Sequence, residues 1–248
     1  DQDGDGRISV DEFDGPEEFL EAMRDAEIVN LSRRRFLKTT AGVGAGLTLG
    51  LCLPGIGPGR GLRAGEAHAA FAPNAFVRIG TDDTVTVIAK HLEMGQGAYT
   101  GLATLVAEEL DAAWEQVRVE GAPADPERYN NLLWGPMQGT GGSTAIANSF
   151  TQMRKAGAVA REMLVKAAAR RWGVEPDSLT VTEGWVLHEP GGRKASFGEL
   201  AEAAATEEVP EDVFLKDPED FTLIGRSVPR KDTPEKIDGS ALFTQDLR

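Results

Sequence analysis

Two long amphipathic stretches, each entered through a short glycine-rich loop, set the tightest limit on how this chain can fold. Met94, Gly95, Gln96 and Gly97 precede the first, where Leu102, Leu105, Val106 and Leu110 recur at helical spacing and predict a helix over residues 99–113. Gln138, Gly139, Thr140, Gly141, Gly142, Ser143 and Thr144 precede the second. There Phe150, Met153, Gly157, Ala160, Leu164 and Ala168 predict a helix over residues 147–172, closed by Gly173. Between and around them lie runs rich in β-branched residues, at 76–79, 84–89, 117–120, 179–182 and 185–188. The first two are joined by a hairpin at Gly80 to Asp83, and the last two by a turn at Glu183 and Gly184. A third, shorter helix is expected over 196–205, because Ser196 and Glu199 form a capping-box pair. The fold class this implies is α+β, a mixed sheet packed with two long helices.

Helix starts present unpaired N–H groups, and glycine lets a backbone approach a ligand closely. Two such entrances could hold one anionic ligand between them. Gln96 adds an amide that donates and accepts, and Ser143 and Thr144 add hydroxyls. Neither loop carries a Walker lysine or a GxGxxG pattern in its usual setting, which disfavours an ordinary nucleotide site. Glycines that only make tight turns before helices would leave the same pattern, and spacing does not separate the two readings.

The N-terminal 70 residues have a different character. Of the net charge of −14, from 26 basic and 40 acidic residues, the first thirty residues supply most. That balance excludes nucleic acid as a partner class. The first twelve residues resemble the calcium loop of an EF-hand: Asp1, Asp3, Asp5 and Ser9 offer side-chain oxygens, Arg7 its carbonyl, and Glu12 two oxygens, with Gly6 at the bend. An acidic, solvated, disordered tail is the other reading of this segment. Ser32, Arg33, Arg34, Arg35, Phe36, Leu37 and Lys38, followed by an uncharged run over 39–53, resemble a twin-arginine export signal. The run is shorter than the roughly 20 residues a membrane span needs. Ala67, His68 and Ala69 have the small-x-small form of a signal-peptidase site, and cleavage there would remove the calcium loop. A basic, glycine-rich linker is the alternative. The single cysteine, Cys52, excludes an internal disulfide and a cysteine-built iron-sulfur site.

Glu93, Met94, Gly95, Gln96, Gly97 and Thr100, with Val106 to Leu110, resemble the molybdopterin-binding subunit of the xanthine dehydrogenase family, in its isoquinoline 1-oxidoreductase and aldehyde dehydrogenase branch. The loop from Gly139 to Thr144, followed by Arg154, Lys155, Ala156 and Gly157, is similar to the same branch. Arg230, Asp232, Lys236, Gly239, Ala241, Phe243 and Asp246 resemble the opening of that family's α/β hammerhead domain.

The separate resemblances divide the chain into four segments: an EF-hand-like head at 1–30, an export signal and linker at 31–70, part of a molybdopterin-binding domain at 71–225, and the start of a hammerhead domain at 226–248. The first two are expected to be poorly ordered. The resemblance to the molybdopterin-binding subunit further implies a molybdenum hydroxylase that oxidises an aldehyde or N-heterocycle with water as oxygen source. The implied cofactor is molybdopterin cytosine dinucleotide with molybdenum, and the implied partner a [2Fe-2S] iron-sulfur small subunit. Gly95, Gln96 and Gly97, together with Gly141, Gly142, Ser143 and Thr144, carry over as cofactor contacts. Periplasmic or exported location through the twin-arginine machinery follows from the signal.

The family's active-site glutamate belongs to a region beyond this chain, so no catalytic residue carries over. Glu108 and Glu109 are expected on a solvated helix face. His91 and His188 have no ligand-spaced partner and are expected in strand or surface roles. Trp114, Trp134, Trp172 and Trp185 are expected as core or interface anchors. A calcium-binding scaffold, or an exported binding domain without catalysis, is the alternative function.

Overall fold

The computed structural model describes residues 70–246, so the calcium-loop and export-signal expectations lie outside the described residues. The larger sheet has the order β1 (Ala70–Asn74), β2 (Val77–Gly80), β3 (Val85–Ala89) and β4 (Val117–Gly121). β1, β2 and β3 are antiparallel neighbours, whereas β3 and β4 run parallel, with Val85 opposite Val117 and Ala89 opposite Gly121. That parallel pair requires a crossover, and helix α1 (Ala98–Leu110) supplies it. β3 is buried at four of its five positions, in keeping with its nearly unbroken run of β-branched residues.

Two short helices follow, α2 (Pro126–Tyr129) and α3 (Thr144–Ala147), and then the long α4 (Phe150–Trp172). A meander of β5 (Thr180–Thr182), β6 (Trp185–His188) and β7 (Arg193–Ser196) forms the second sheet and leads into α5 (Phe197–Ala204). A last short helix, α6 (Thr233–Asp238), lies near the end. This is the mixed α+β fold that the sequence implies.

The core lies where α1 and α4 cross over the larger sheet, with Leu102, Val106, Leu110, Met153, Ala160 and Leu164 fully buried. Gly157 makes the crossing close: a Cβ there would collide with the Val106 carbonyl oxygen of α1.

Both long helices are shorter than their periodicity suggests. α1 stops at Leu110, because Asp111 turns left-handed (φ 55°) and its N–H returns to the carbonyls of Ala107 and Glu108. α4 starts at Phe150, because Asn148 and Ser149 turn their side chains into a polar network. The hairpin at 80–83 and the turn at Glu183 (φ 46°) and Gly184 (φ 81°) stand as expected. So does the Ser196 and Glu199 capping box, in which Ser196 N–H donates to Glu199 Oε2 at 2.9 Å.

Candidate functional site

The two glycine loops meet. Gln96, Gly97 and Ala98 on one side and Ser143, Ala145 and Ile146 on the other line a single cleft of about 250 Å³. Around it, large apolar side chains stand exposed: Leu92 (65%), Met94 (70%) and Met137 (54%), with Trp134 and Ile146 less so. An apolar rim of this kind marks a surface made to be covered.

The first loop holds itself. Gln96 Nε2 donates to Leu92 O at 2.8 Å, and its Oε1 accepts from Met94 N–H at 2.7 Å. Glu93 lies across the start of α1, where Oε1 accepts from Gly95 and Gly97 N–H and Oε2 accepts from Tyr99 N–H. The helix start that could have held a ligand anion is therefore filled by the chain's own carboxylate. Burial pushes the Glu93 carboxyl up, but the three backbone N–H groups outweigh it and hold it below its ordinary value. Arg230 secures the loop from the C-terminal side, donating to Gly95 O at 3.0 Å and pairing with Glu93 and Asp232. Lys236, another residue of the expected hammerhead start, pairs with Asp232.

The second loop is held from outside. Trp134 packs against it, and a Cβ at Gly139 or Gly141 would run into the indole, which accounts for those glycines without a ligand. Thr140 Oγ1 accepts Leu92 N–H at 2.8 Å, and Asn131 Nδ2 reaches Gly139 O and Thr144 Oγ1. Thr144 Oγ1 donates to Gly141 O, so its hydroxyl serves the loop. This loop opens the four-residue α3 and only then α4, so it does not aim a long helix at the cleft. Ser143 is left-handed (φ 59°), and its hydroxyl has no hydrogen-bond partner among the described residues.

His91 sits between the loops and is 1% exposed, which corrects the strand or surface expectation. It is the second residue after β3, and Lys90, buried between the strand and it, has its pKa lowered to about 7 by desolvation. Burial also lowers the His91 pKa, against the hydrogen bond to Asn148, and the Lys90 charge adds to the lowering. His188 stays in β6 as expected, stacked on Trp172 with ring centres 6.5 Å apart. Among the described residues no cluster of His, Cys, Asp and Glu could hold a metal ion.

Glu108 and Glu109 overturn their assignment to a solvated face: both are 0% exposed. Glu108 Oε2 accepts N–H from Thr222, Leu223 and Ile224 at 3.0, 2.7 and 2.9 Å, and its Oε1 meets Lys216 Nζ at 3.1 Å. Glu109 pairs with Arg154 at 2.6 Å and accepts Lys216 N–H. The physical reason is that the segment from Phe214 to Ile224 folds back over this end of α1 with N–H groups that need acceptors. Trp114 is an anchor of the predicted kind, buried, with its N–H on Pro229 O and Lys231 4.1 Å above its ring. Trp134 and Trp185 are each 38% exposed, so neither is a core anchor, whereas Trp172 packs against the core.

The fold and this cleft define an α+β domain whose two glycine loops share one cleft. The chain matches the molybdopterin cofactor-binding domain over residues 21–232 and belongs to that family. It is 35% identical to the beta chain of isoquinoline 1-oxidoreductase from Brevundimonas diminuta, over 90% of this chain and 32% of that protein. It is 34% identical to a membrane-bound aldehyde dehydrogenase (pyrroloquinoline-quinone) of Gluconacetobacter polyoxogenes, over 90% of this chain and 28% of that one. With a nicotinate dehydrogenase subunit of Pseudomonas putida the identity is 36%, over 70% of this chain and 14% of that protein. The chain thus spans a third or less of the length of these curated relatives.

Proposed function

We propose that this chain is the N-terminal portion of a molybdenum hydroxylase large subunit and forms one wall of its molybdopterin site. The observation that carries the reading is the single cleft lined from both glycine loops, in a chain of the molybdopterin cofactor-binding family. Its volume, about 250 Å³, is below the roughly 300–1,000 Å³ of complete ligand pockets, which suits a wall better than a whole site. The residues fit the group. Open space lies beside Gly95 and Gly97, Ser143 has a free hydroxyl, and Gln96 keeps one N–H and one oxygen lone pair beyond its two loop bonds.

When bound, the molybdenum cofactor supplies the two-electron oxidation, with water as oxygen source. The role of this chain is to orient it. Gln96 presents its amide, Ser143 its hydroxyl, and the loop backbones at Gly97 and Gly142 allow close approach. Glu108 and Glu109 are committed to ion pairs and to backbone N–H groups, so neither serves as a proton acceptor in the cleft. The catalytic glutamate then belongs to the downstream part of the subunit, as does the hammerhead domain that residues 226–248 would open. The names of the relatives support an aldehyde or N-heterocycle as substrate. The subunit names of two relatives support a separate [2Fe-2S] subunit as the electron outlet.

The cytosine dinucleotide form is the variant we assign to the cofactor. Replacing Gln96→Ala in the complete subunit should lower both molybdenum and released cytosine nucleotide about tenfold per protein, read by metal analysis and chromatography of the extracted cofactor. Wild-type content in that variant would remove Gln96 from the site. The segment at 31–70 is proposed to direct twin-arginine export, which N-terminal sequencing of the mature protein checks by a start at Ala70. The head is proposed to bind calcium through Asp1, Asp3, Asp5, Arg7, Ser9 and Glu12. Calcium titration of residues 1–30 should lose its signal on Glu12→Ala, and an unchanged titration would return the head to a solvated acidic tail.

A further inference from the structure

His91 lies outside the cleft lining, yet it is the side chain that ties the two cleft walls together. One ring nitrogen, Nδ1, lies 3.1 Å from Gly139 O in the second loop and 3.5 Å from Thr140 Oγ1. The other, Nε2, lies 3.0 Å from Asn148 Oδ1, just past α3. Its own backbone leads straight into Leu92, whose carbonyl accepts the Gln96 amide and whose N–H donates to Thr140. Asn148 donates in turn to Asn131 Oδ1, and Asn131 reaches Gly139 O and Thr144 Oγ1. Ser149 Oγ also donates to Asn148. The links through His91, Asn148 and Asn131 are buried or half-buried, whereas the two at Leu92 are exposed; in the buried part a satisfied polar network fixes one arrangement and a broken one leaves unpaired groups. The network's amides are oriented by their other bonds, so both ring partners of His91 are oxygen acceptors, and a neutral ring with its single N–H donates to one of them at a time, to Gly139 O when the proton is on Nδ1.

We propose that His91 is a positioning residue that keys the Gln96 loop to the Ser143 loop and so sets the width of the cleft between them. This rests on the cofactor-wall reading for its consequence, retention of the molybdenum cofactor, but not for its geometry. The imidazole bridges the loops through Gly139, while Thr140 supplies a second bridge to Leu92 and Asn148 Oδ1 faces the far nitrogen at 3.0 Å.

The test uses the complete subunit with His91→Phe, His91→Asn, His91→Gln and Thr140→Val. Asparagine places its amide N–H where Nδ1 stands and can keep the Gly139 bond. Glutamine places it where Nε2 stands and keeps the Asn148 bond instead. Amide hydrogen exchange should quicken about tenfold in both loops, 92–97 and 139–144, on His91→Phe, with the α1 and α4 interiors unchanged. The Asn variant should restore protection better than the Gln variant, an order that a merely space-filling role would not produce. Thr140→Val, which leaves the core imidazole in place, should loosen the same two loops to a smaller degree. Molybdenum content should fall in the same order, about tenfold or more for the Phe variant. Wild-type exchange in both loops of the Phe and Val variants, or equal behaviour of Asn and Gln, overturns the proposal. A wild-type subunit that purifies with neither molybdenum nor pterin instead overturns the cofactor reading, and hydrogen exchange still decides the role of His91.

Discussion

Both ends of α1 are gripped by carboxylates, and the two grips are built in opposite ways. At the N-terminal end, Glu93 stands where the helix dipole is positive and three N–H groups are free, so a single local side chain satisfies them. At the other end, Glu108, Glu109 and Asp111 crowd the negative pole, and the last turn carries no basic residue. Compensation has to come from far along the chain. Lys216 bridges Glu108 and Asp111, Arg154 meets Glu109, and Arg161 lies 3.5 Å from Asp111. The backbone of Thr222 to Ile224 adds its N–H groups. The same C-terminal segment then runs on to place Arg230 against Glu93, so one strap is fastened at both poles. An acid in harmony with the dipole needs only its neighbours, whereas one opposed to it recruits tertiary structure.

The comparison breaks most visibly at Glu108. Replacing Glu108→Ala leaves three backbone N–H groups and the Lys216 ammonium facing a buried gap. Unfolding free energy should fall by about 3–5 kcal/mol, measured by urea denaturation. Protease cleavage within 214–224 should appear before global unfolding. Burial raises the Glu108 pKa, but the N–H groups of Ile224, Leu223 and Thr222 and the Lys216 ammonium outweigh it and hold it down. Its stabilisation is therefore present above its ordinary value of 4.5 and is lost as the pH falls through the lowered folded-state value. A stable, protease-resistant Glu108→Ala protein would mean that the strap is held by other contacts.

Lys90 sharpens the contrast between buried cations. Lys216 has two carboxylates, whereas Lys90, 2% exposed, has among the described residues only the Gln152 side chain, at 2.7 Å. Desolvation brings Lys90 from 10.5 to about 7, so the unfolded chain holds this proton at pH values where the folded chain releases it. Stability should accordingly rise with pH between about 7 and 10.5, with the full penalty present below about 7. Lys90→Met should flatten that slope and raise stability at pH 6 by about 1–3 kcal/mol, the loss of the Gln152 bond offsetting part of the gain. A variant as pH-dependent as the parent would assign the slope to another group.

What the sequence made legible follows the same division between near and far partners. The Ser196 and Glu199 cap, three residues apart, and the turn at Glu183 and Gly184 were readable because their chemistry is local. The two glycine loops were recognisable as a pair, and they share a cleft. Glu108 and Glu109 were misplaced because their partners in the strap lie more than 100 residues further on, and helical periodicity carries no trace of them. One signal was available: three acids at the end of a helix with no basic residue nearby ask for a distant cation. His91 was hidden for the same reason, its partners being 48 and 57 residues away. β1 escaped because Pro73 reads as a breaker, although an edge strand admits it, and β7 because Arg193 and Lys194 give it a polar face.

The smallest effect is expected where the carboxylate is local. In Glu93→Gln the amide oxygen can still accept from Gly95 and Gly97, but the nitrogen cannot accept from Tyr99, and the charge that favours both the dipole and Arg230 is gone. At pH 7 the loss should be about 1 kcal/mol by urea denaturation, several times smaller than at Glu108. The sign of its pH dependence is fixed by the lowered pKa of Glu93: the parent's advantage is full above 4.5 and closes as the pH falls through the folded-state value, where the parent's own carboxyl becomes neutral. The two curves should therefore converge in acid and run parallel at neutral pH. If the Glu93→Gln loss matched that of Glu108→Ala, or persisted undiminished in acid, alignment with the dipole would not be what separates the two ends of α1.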